Sequence, residues 1–245
     1  MGKRSFYRII PYMRIAVHQP QFMPWLGYFD KMDKVDVFVL LDNVQFKKNE
    51  FQNRNKIKTS NNCIWLTVPV NFSFGDNISD VRIDNKHDWQ KKHMYALQTN
   101  YGKAMFFKDY QPALEELYKK QYAFLSLLNI DTINLIKETF SIKTEVVTAS
   151  SIPDLSEEPT ERLLDICRHF NADTYLAGAG GKTYMECERF KDAGIKLLFQ
   201  HFVHPEYKQL YGTFEPFMSA IDFIFNAGNN FDLVRGLNKE LEEYS

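Results

Sequence analysis

The clearest candidate for chemistry is residues 18–21, His-Gln-Pro-Gln, which follow a short apolar run over residues 14–17. The run predicts a strand, and the prolines at positions 20 and 24 exclude a helix before about residue 25. His18 therefore stands on a turn, where an imidazole can bond a phosphate oxygen or move a proton. The helix that follows would add free backbone N–H groups that favour an anion. The alternative is a histidine that only closes a strand.

The second candidate is a donor-rich segment over residues 43–58, which follows Asp42 at the end of another apolar run. Its sequence, NVQFKKNEFQNRNKIK, mixes amides with basic side chains. Amides pair with hydroxyl groups and cations neutralise phosphates, so we interpret the segment as a functional loop for a ligand such as a nucleotide sugar. The alternative is a solvated basic loop. Asp42 could hold a ribose or a metal, or could only cap the turn.

The third candidate is the glycine-rich segment GAGGKTY at residues 178–184, directly after a predicted strand. Glycines let backbone N–H groups approach a ligand closely, but this spacing matches neither the P-loop nor the dinucleotide pattern. A tight turn between strand and helix is the alternative. Lys182, immediately after the glycines, favours an anion or carboxylate site.

Two histidines, His201 and His204, lie three residues apart near the end of the chain. A zinc site would need a third ligand and a regular geometry that Pro205 disfavours, so we expect no metal. We expect His204 to shape a turn and to add a second titratable group to the pocket. Asp222, on the last predicted helix, is expected to fix a loop.

The composition narrows the class of protein. The chain has 245 residues, with 30 basic against 31 acidic side chains, so no net positive field exists to hold nucleic acid. Three cysteines without metal-type spacing argue against a disulfide framework and favour the cytoplasm. No apolar stretch is long enough to span a bilayer. The many aromatic residues suit a thick core or, alternatively, a stacking surface for a sugar or base.

The elements that must position these residues alternate between strand and helix. Residues 14–17, 25–35 and 36–41 form a β-α-β unit, which joins parallel strands and predicts a doubly wound α/β sheet. We predict a mostly parallel, Rossmann-like (nucleotidyltransferase-like) sheet with a helical insertion. Further strands are expected at 64–70, 81–83, 144–147, 173–177 and 196–199, and helices at 88–101, 112–129, 131–140, 160–170, after residue 182 through 190, and at 217–227.

The expected organisation is an extension at residues 1–13, a single α/β domain at 14–230 with its helical segment at about 88–141, and a frayed acidic tail at 231–245. Ligands of open α/β sheets bind beyond the carboxyl ends of the strands, so the three candidate segments should converge. The predicted catalytic residues are His18 and Lys182. The predicted substrate-binding residues are Gln19, Gln21, Trp25, Asp42, Gln45, Asn49, Gln52, Asn53, Arg54, Gly178, Gly180, Gly181, Tyr184 and His204.

Six segments in this order together resemble the WbqC-like protein family. They are HQPQFMPWLGYFDK, DVFVLLDNVQFKKNEFQNRNKIK, WLTVPV, ADTYLAGAGGKTYM, HPEY with QLYG, and SAIDFIFNAG. The resemblance implies a bacterial or archaeal cytoplasmic protein of surface-polysaccharide (O-antigen) biosynthesis that transfers glycine or another acyl group to an amino sugar. The first fifty or so residues are also similar to pantothenate synthetase and other nucleotidyltransferase-like folds, whose histidine turn holds ATP phosphates. Gln21 stands here in place of the second histidine of their HxGH pattern.

The leading hypothesis is a transferase that forms an amide on the amino group of a nucleotide-linked sugar. His18 would be the base, and Lys182 or Arg54 would stabilise the charge on the acyl oxygen. Two points stay open: whether ATP or another activated acyl donor is the cofactor, and whether the protein forms a homodimer. The alternatives are a non-catalytic nucleotide-sugar or carbohydrate-binding module of a glycan assembly complex and a metal-dependent hydrolase that uses His201 and His204.

Overall fold

A computed structural model describes residues 12–183 and 185–244. The predicted extension at residues 1–13 lies outside these residues except for its last two positions. In chain order the elements are β1 (Arg14–His18), α1 (Leu26–Asp33), β2 (Val37–Leu40), β3 (Arg54–Lys58), β4 (Cys63–Thr67), β5 (Val70–Asn71), β6 (Arg82–Ile83), α2 (Trp89–Tyr101), α3 (Phe107–Lys119), α4 (Leu125–Thr139), β7 (Glu145–Thr148), α5 (Pro159–His169), β8 (Thr174–Ala177), α6 (Cys187–Asp192), β9 (Lys196–Gln200), α7 (Ala220–Ala227), α8 (Asp232–Leu237) and β10 (Leu241–Glu243).

The centre of the described chain is a six-stranded sheet in the order β10-β9-β8-β1-β2-β7. All neighbouring pairs are parallel except β10 with β9. The chain moves from β1 through β2 to β7 on one side and then returns to place β8 and β9 on the other side of β1. The strand order therefore reverses between β1 and β8. The prediction of an α/β fold with a mostly parallel sheet is confirmed.

Helices cover both faces of this sheet, which is why its central strands are apolar almost throughout. On one face, Ala16 and Phe38 pack in the same core as Phe29 of α1 and Leu128 of α4. On the other face, Ile15, Val17 and Val37 belong to a second core that includes side chains of α5 and α6. Alternate residues of each strand thus serve opposite cores.

The segment between β2 and β7 contains α2, α3, α4 and two small antiparallel sheets, β3 with β4 and β5 with β6. The predicted helix at 112–129 is wrong, because α3 already begins at Phe107 and ends at Lys119. Pro112 lies inside this helix and does not open it. Asp131, the first residue of the helix predicted at 131–140, lies inside α4, where its carboxylate accepts hydrogen bonds from Tyr122 Oη and Lys120 Nζ at 2.7 and 2.8 Å.

The polar segment at 43–58, predicted as a loop, ends in a strand. In β3 the side chain of Asn55 is buried, and its Nδ2 donates to the carbonyl oxygen of Met23 at 2.7 Å. The predicted strand at 64–70 is divided, because Val68 leaves β4 and donates its backbone N–H to the carbonyl of Asn53 at 2.8 Å. Neither half joins the main sheet.

Three helix and tail predictions also need correction. The helix predicted at 160–170 begins at Pro159, because the Glu158 carboxylate caps α5 by accepting from the backbone N–H groups of Thr160 and Glu161. The helix predicted at 217–227 begins at Ala220, three residues later than predicted, because Ser219 serves as its N-cap. The tail is not frayed, since α8 follows directly and β10 pairs with β9. In the described part of the chain, no helix has the length and apolar character needed to cross a membrane.

Candidate functional site

A cavity of about 600 Å³ opens at the carboxyl ends of β1 and β8, where the strand order reverses. His18 ends β1, Gly178 follows β8, and Leu41 follows β2. The N-terminal part of α5 closes the far side. Its described lining is Val17, His18, Gln19, Lys31, Leu41, Val44, Lys47, Pro159, Arg162, Leu163, Tyr175, Gly178, Gly180 and Gly181.

The charges of this lining all have one sign. Lys31, Lys47 and Arg162 face the cavity, and no carboxylate is found among its described lining residues. The guanidinium of Arg162 is held by the backbone, because Nε donates to the Ser156 carbonyl at 2.7 Å and Nη2 to that of Glu157 at 3.2 Å. Cations without acidic partners make the cavity suited to an anionic ligand.

His18 is a neutral imidazole in this setting. Burial and, to a lesser extent, the neighbouring Lys31 lower the pKa of His18 to about 3. Its ring lies against that of Tyr28, with centroids 4.6 Å apart, and its Nδ1 is 3.1 Å from the carbonyl oxygen of Gln19. A carbonyl only accepts, so Nδ1 carries the proton and Nε2 keeps its lone pair. His18 is consequently an acceptor and only a weak base in the unliganded protein.

Two of the predicted segments meet through a chain of hydrogen bonds. Gln52 Nε2 donates to Gln19 Oε1 at 2.8 Å, and the backbone N–H of Lys47 donates to Gln52 Oε1 at 2.9 Å. Gln52 is almost fully buried, so these bonds fix the position of Lys47 against the turn of His18. Gln19 lines the cavity, whereas Gln52 supports it from behind.

The glycines of GAGG have different roles. A Cβ at Gly178 or Gly180 would meet no atom within 4 Å, so both leave space beside the cavity. A Cβ at Gly181 would lie 3.0 Å from Met185 Sδ and 3.1 Å from Ala177 Cβ. Gly181 is therefore required by packing as well as being part of the lining. The segment itself forms a 3-10 helix over Ala179–Thr183.

Lys31 is a cavity residue that the sequence analysis did not single out. It lies on α1 with its side chain buried, three residues after Tyr28 and four after Gly27, which are buried too. This spacing puts all three on one helical face. A lysine on an otherwise apolar helical face was the signal that could have identified it. Arg162, one turn into α5, had no comparable signal.

Comparison with known proteins agrees with the resemblance to the WbqC-like protein family. The model of the WbqC-like protein family matches residues 19–231. The chain belongs to the WbqC-like protein family. It is also 36% identical over 219 residues to the uncharacterized protein Rv1507c of Mycobacterium tuberculosis, an alignment that covers 88% of this chain and 94% of that protein. No solved structure matches the chain.

Lys182 does not reach the cavity of this WbqC-like chain. Its ammonium pairs with Glu242 of β10 at 2.5 Å and lies over the ring of Phe199, 5.0 Å from the centroid. It lines a separate cleft with α6 and the end of the chain. The structure does not bring Lys182 together with His18, because the Glu242 carboxylate of β10 pairs with Lys182 outside the cavity. Tyr184 lies outside the described residues.

Several other predicted binding residues have structural partners away from the cavity. Both oxygens of the Asp42 carboxylate accept from Ser150, at 2.8 Å from its backbone N and 2.6 Å from its Oγ, so Asp42 fixes the turn after β7. Asn53 Nδ2 donates to the Val68 carbonyl at 3.1 Å. The guanidinium of Arg54 lies over the ring of Trp65, 4.1 Å from its centroid. Three further residues also lie outside the lining: Gln21, Gln45 and Asn49.

Trp25 and His204 come together in an aromatic cluster of the WbqC-like chain and not in the cavity. The Trp25 indole lies over Gly27 and packs edge-on against Phe202, with centroids 4.9 Å apart. The His204 ring packs against Phe202 at 5.7 Å and Phe217 at 5.4 Å. The first turn of α1, where an anion was expected, also lies outside the described lining of the cavity. Within the described residues, no three histidine, cysteine or acidic side chains are grouped to hold a metal.

Proposed function

We propose that this WbqC-like protein binds a nucleotide-linked amino sugar with its phosphates in the cavity, and transfers an acyl or aminoacyl group to the sugar's amino group. The observation that carries the proposal is the cavity itself, because its described lining has three cations, an acceptor imidazole and no carboxylate. Phosphates are held by cations, and the lining supplies Lys31, Lys47 and Arg162.

The position of the cavity supports the same proposal. We infer that the sheet is a doubly wound Rossmann-like sheet, since its strand order reverses at β1 and helices cover both faces. In such sheets, ligands bind outside the carboxyl ends of the strands at this reversal. The protein would act in the cytoplasm, in a pathway of surface-polysaccharide synthesis, as the family resemblance implies.

Different lining residues would serve different steps of the proposed acyl transfer. The sugar amine attacks the acyl carbon of an activated donor, a C–N bond forms, and the bond from carbon to the leaving group breaks. Arg162 and Lys47 face the cavity and would stabilise the negative charge on the acyl oxygen in place of Lys182 and Arg54. His18 Nε2 would take the proton that the nitrogen loses after attack. Because its pKa is low, His18 does not deprotonate a free ammonium, so the amine must enter neutral.

The test begins with thermal-shift assays of nucleotides and nucleotide-linked amino sugars, because a ligand that binds only the native state raises the melting temperature. Amide formation is then followed by mass spectrometry with acyl adenylates or thioesters as donors. The matched control is the nucleotide sugar with a hydroxyl in place of the amine, which should bind without being acylated. Failure of every nucleotide to raise the melting temperature would overturn the proposal.

A second candidate function is a non-catalytic nucleotide-sugar binding module. The low pKa of His18 favours it, because this histidine is the expected base of the cavity. The His18→Ala variant separates the two. Retained binding with lost turnover supports the transferase, whereas ligand binding without turnover in the wild-type protein supports the binding module.

A further inference from the structure

Lys31 is a buried amine that faces the cavity with little to neutralise it. Its side chain is 3% exposed, and Nζ donates to the carbonyl oxygen of Val17 at 3.1 Å. Beneath it lies the ring of Phe38, whose centroid is 5.6 Å from Nζ. An ammonium has three protons to donate, and the Val17 carbonyl accepts only one of them. Because the Lys31 side chain lines the cavity, a ligand there can accept the remaining protons.

The nearest acidic neighbour on α1 is occupied elsewhere. The Asp30 carboxylate accepts from Lys34 Nζ at 2.7 Å and from Gln200 Nε2 at 2.6 Å. No carboxylate is found among the described lining of the cavity. Keeping an unpaired ammonium in a buried position is unfavourable, because its hydration is lost without a compensating charge. A ligand that brings a negative charge into the cavity would remove this penalty.

We propose that Lys31 is the buried counter-charge for the phosphoryl group of the ligand, and that binding of this anion is coupled to uptake of a proton by Lys31. The inference rests on the proposed function only in taking the ligand to be a phosphate ester. Lys31 then acts as a switchable cation: neutral in a fraction of the empty protein, and charged when the anion is bound.

Among the titratable groups around the cavity, Lys31 is the one that we expect to change its charge near neutral pH. Burial lowers the pKa of Lys31 to about 7. His18 of β1 has its pKa lowered to about 3, mainly by burial, and burial raises the pKa of Tyr28 on α1 well above its usual range. The other charged or titratable lining residues are Lys47 before β3, Arg162 of α5 and Tyr175 of β8.

The experiment uses inorganic sulfate as the probe, because sulfate carries two negative charges throughout the pH range 6 to 8. Isothermal calorimetry of the full chain in buffers with different ionisation enthalpies measures proton uptake directly. From a free pKa of about 7, we expect uptake of about 0.9 proton at pH 8 and about 0.1 at pH 6. Sulfate should bind about tenfold more weakly at pH 8 than at pH 6.

The variant Lys31→Met keeps an unbranched side chain of similar length and removes the amine. We expect sulfate binding to weaken at least about tenfold and to lose its dependence on pH, while the melting temperature stays the same or rises. The matched control is Lys92→Met, which makes the same change of charge at an exposed position of α2 and should bind like the wild type. Equal affinity and equal pH dependence in Lys31→Met would overturn the proposal.

The wild-type measurement tests the inference even if the variant does not fold, since absence of proton uptake at pH 8 contradicts it. The two proposals also fail in different ways. If sulfate binding depends on Lys31 but no nucleotide-linked amino sugar binds, the counter-charge stands and the proposed substrate is wrong. If such a sugar is bound and acylated by Lys31→Met as by the wild type, the counter-charge is wrong and the proposed function stands.

Discussion

Two alanine substitutions in GAGG should separate packing from ligand binding. At Gly181, the new Cβ would lie 3.0 Å from Met185 Sδ, 3.1 Å from Ala177 Cβ and 3.4 Å from Phe199 Cε1. Overpacking of this kind costs about 1–3 kcal/mol, partly offset by the smaller conformational entropy that alanine has in the unfolded chain. We expect a net loss of about 1.5 kcal/mol, which lowers the melting temperature of a chain of this size by about 4 °C.

For the matched variant Gly178→Ala we expect the opposite result: little change in stability and weaker ligand binding. Its Cβ meets no atom within 4 Å, so its stability should stay within about 0.5 kcal/mol of the wild type or rise slightly. Because Gly178 lines the cavity, the methyl group should weaken binding of a phosphate ester or sulfate by about tenfold, equivalent to about 1.4 kcal/mol. Urea denaturation and calorimetry measure the two effects. Equal destabilisation by both variants, or unchanged binding in Gly178→Ala, would refute this division of roles.

Two further predictions concern buried polar groups. Burial lowers the pKa of His93 to about 4, so the folded protein holds this histidine neutral while the unfolded chain binds a proton below about pH 6.5. The free energy of unfolding should therefore fall by up to about 1.4 kcal/mol per pH unit as the pH drops from about 6.5 to 4. In acid-denaturation experiments, the variant His93→Gln should show a weaker dependence of stability on pH over this range. Asp222 is fully buried and accepts from Tyr101, Tyr207 and Gln209 at 2.6, 2.7 and 2.8 Å. Asp222→Ala should reduce the free energy of unfolding by about 3 kcal/mol, and a loss below about 1 kcal/mol would contradict the importance of this network.

Local patterns predicted the sheet better than the insertion. The strands β1, β2, β8 and β9 are runs of apolar residues between turn signals, and their burial on both faces makes the pattern continuous. The insertion gave misleading signals because its polar residues are satisfied by distant parts of the chain. Asn55 bonds the carbonyl of Met23, and Asp131 bonds Lys120 and Tyr122, so residues that were expected in a loop and at a helix start lie inside regular elements.

The sequence by itself determined that strand ends near His18 and Gly178 would meet, because parallel strands share one carboxyl edge. It also determined the family, through segments spread along the chain. Only the tertiary structure decided which cations reach that edge. Lys182 is next to the glycines in sequence but pairs with Glu242, whereas Lys31 is thirteen residues from His18 and contacts its strand. Side chains on a helix project to a face set by packing, so proximity in the chain does not predict proximity in the cavity.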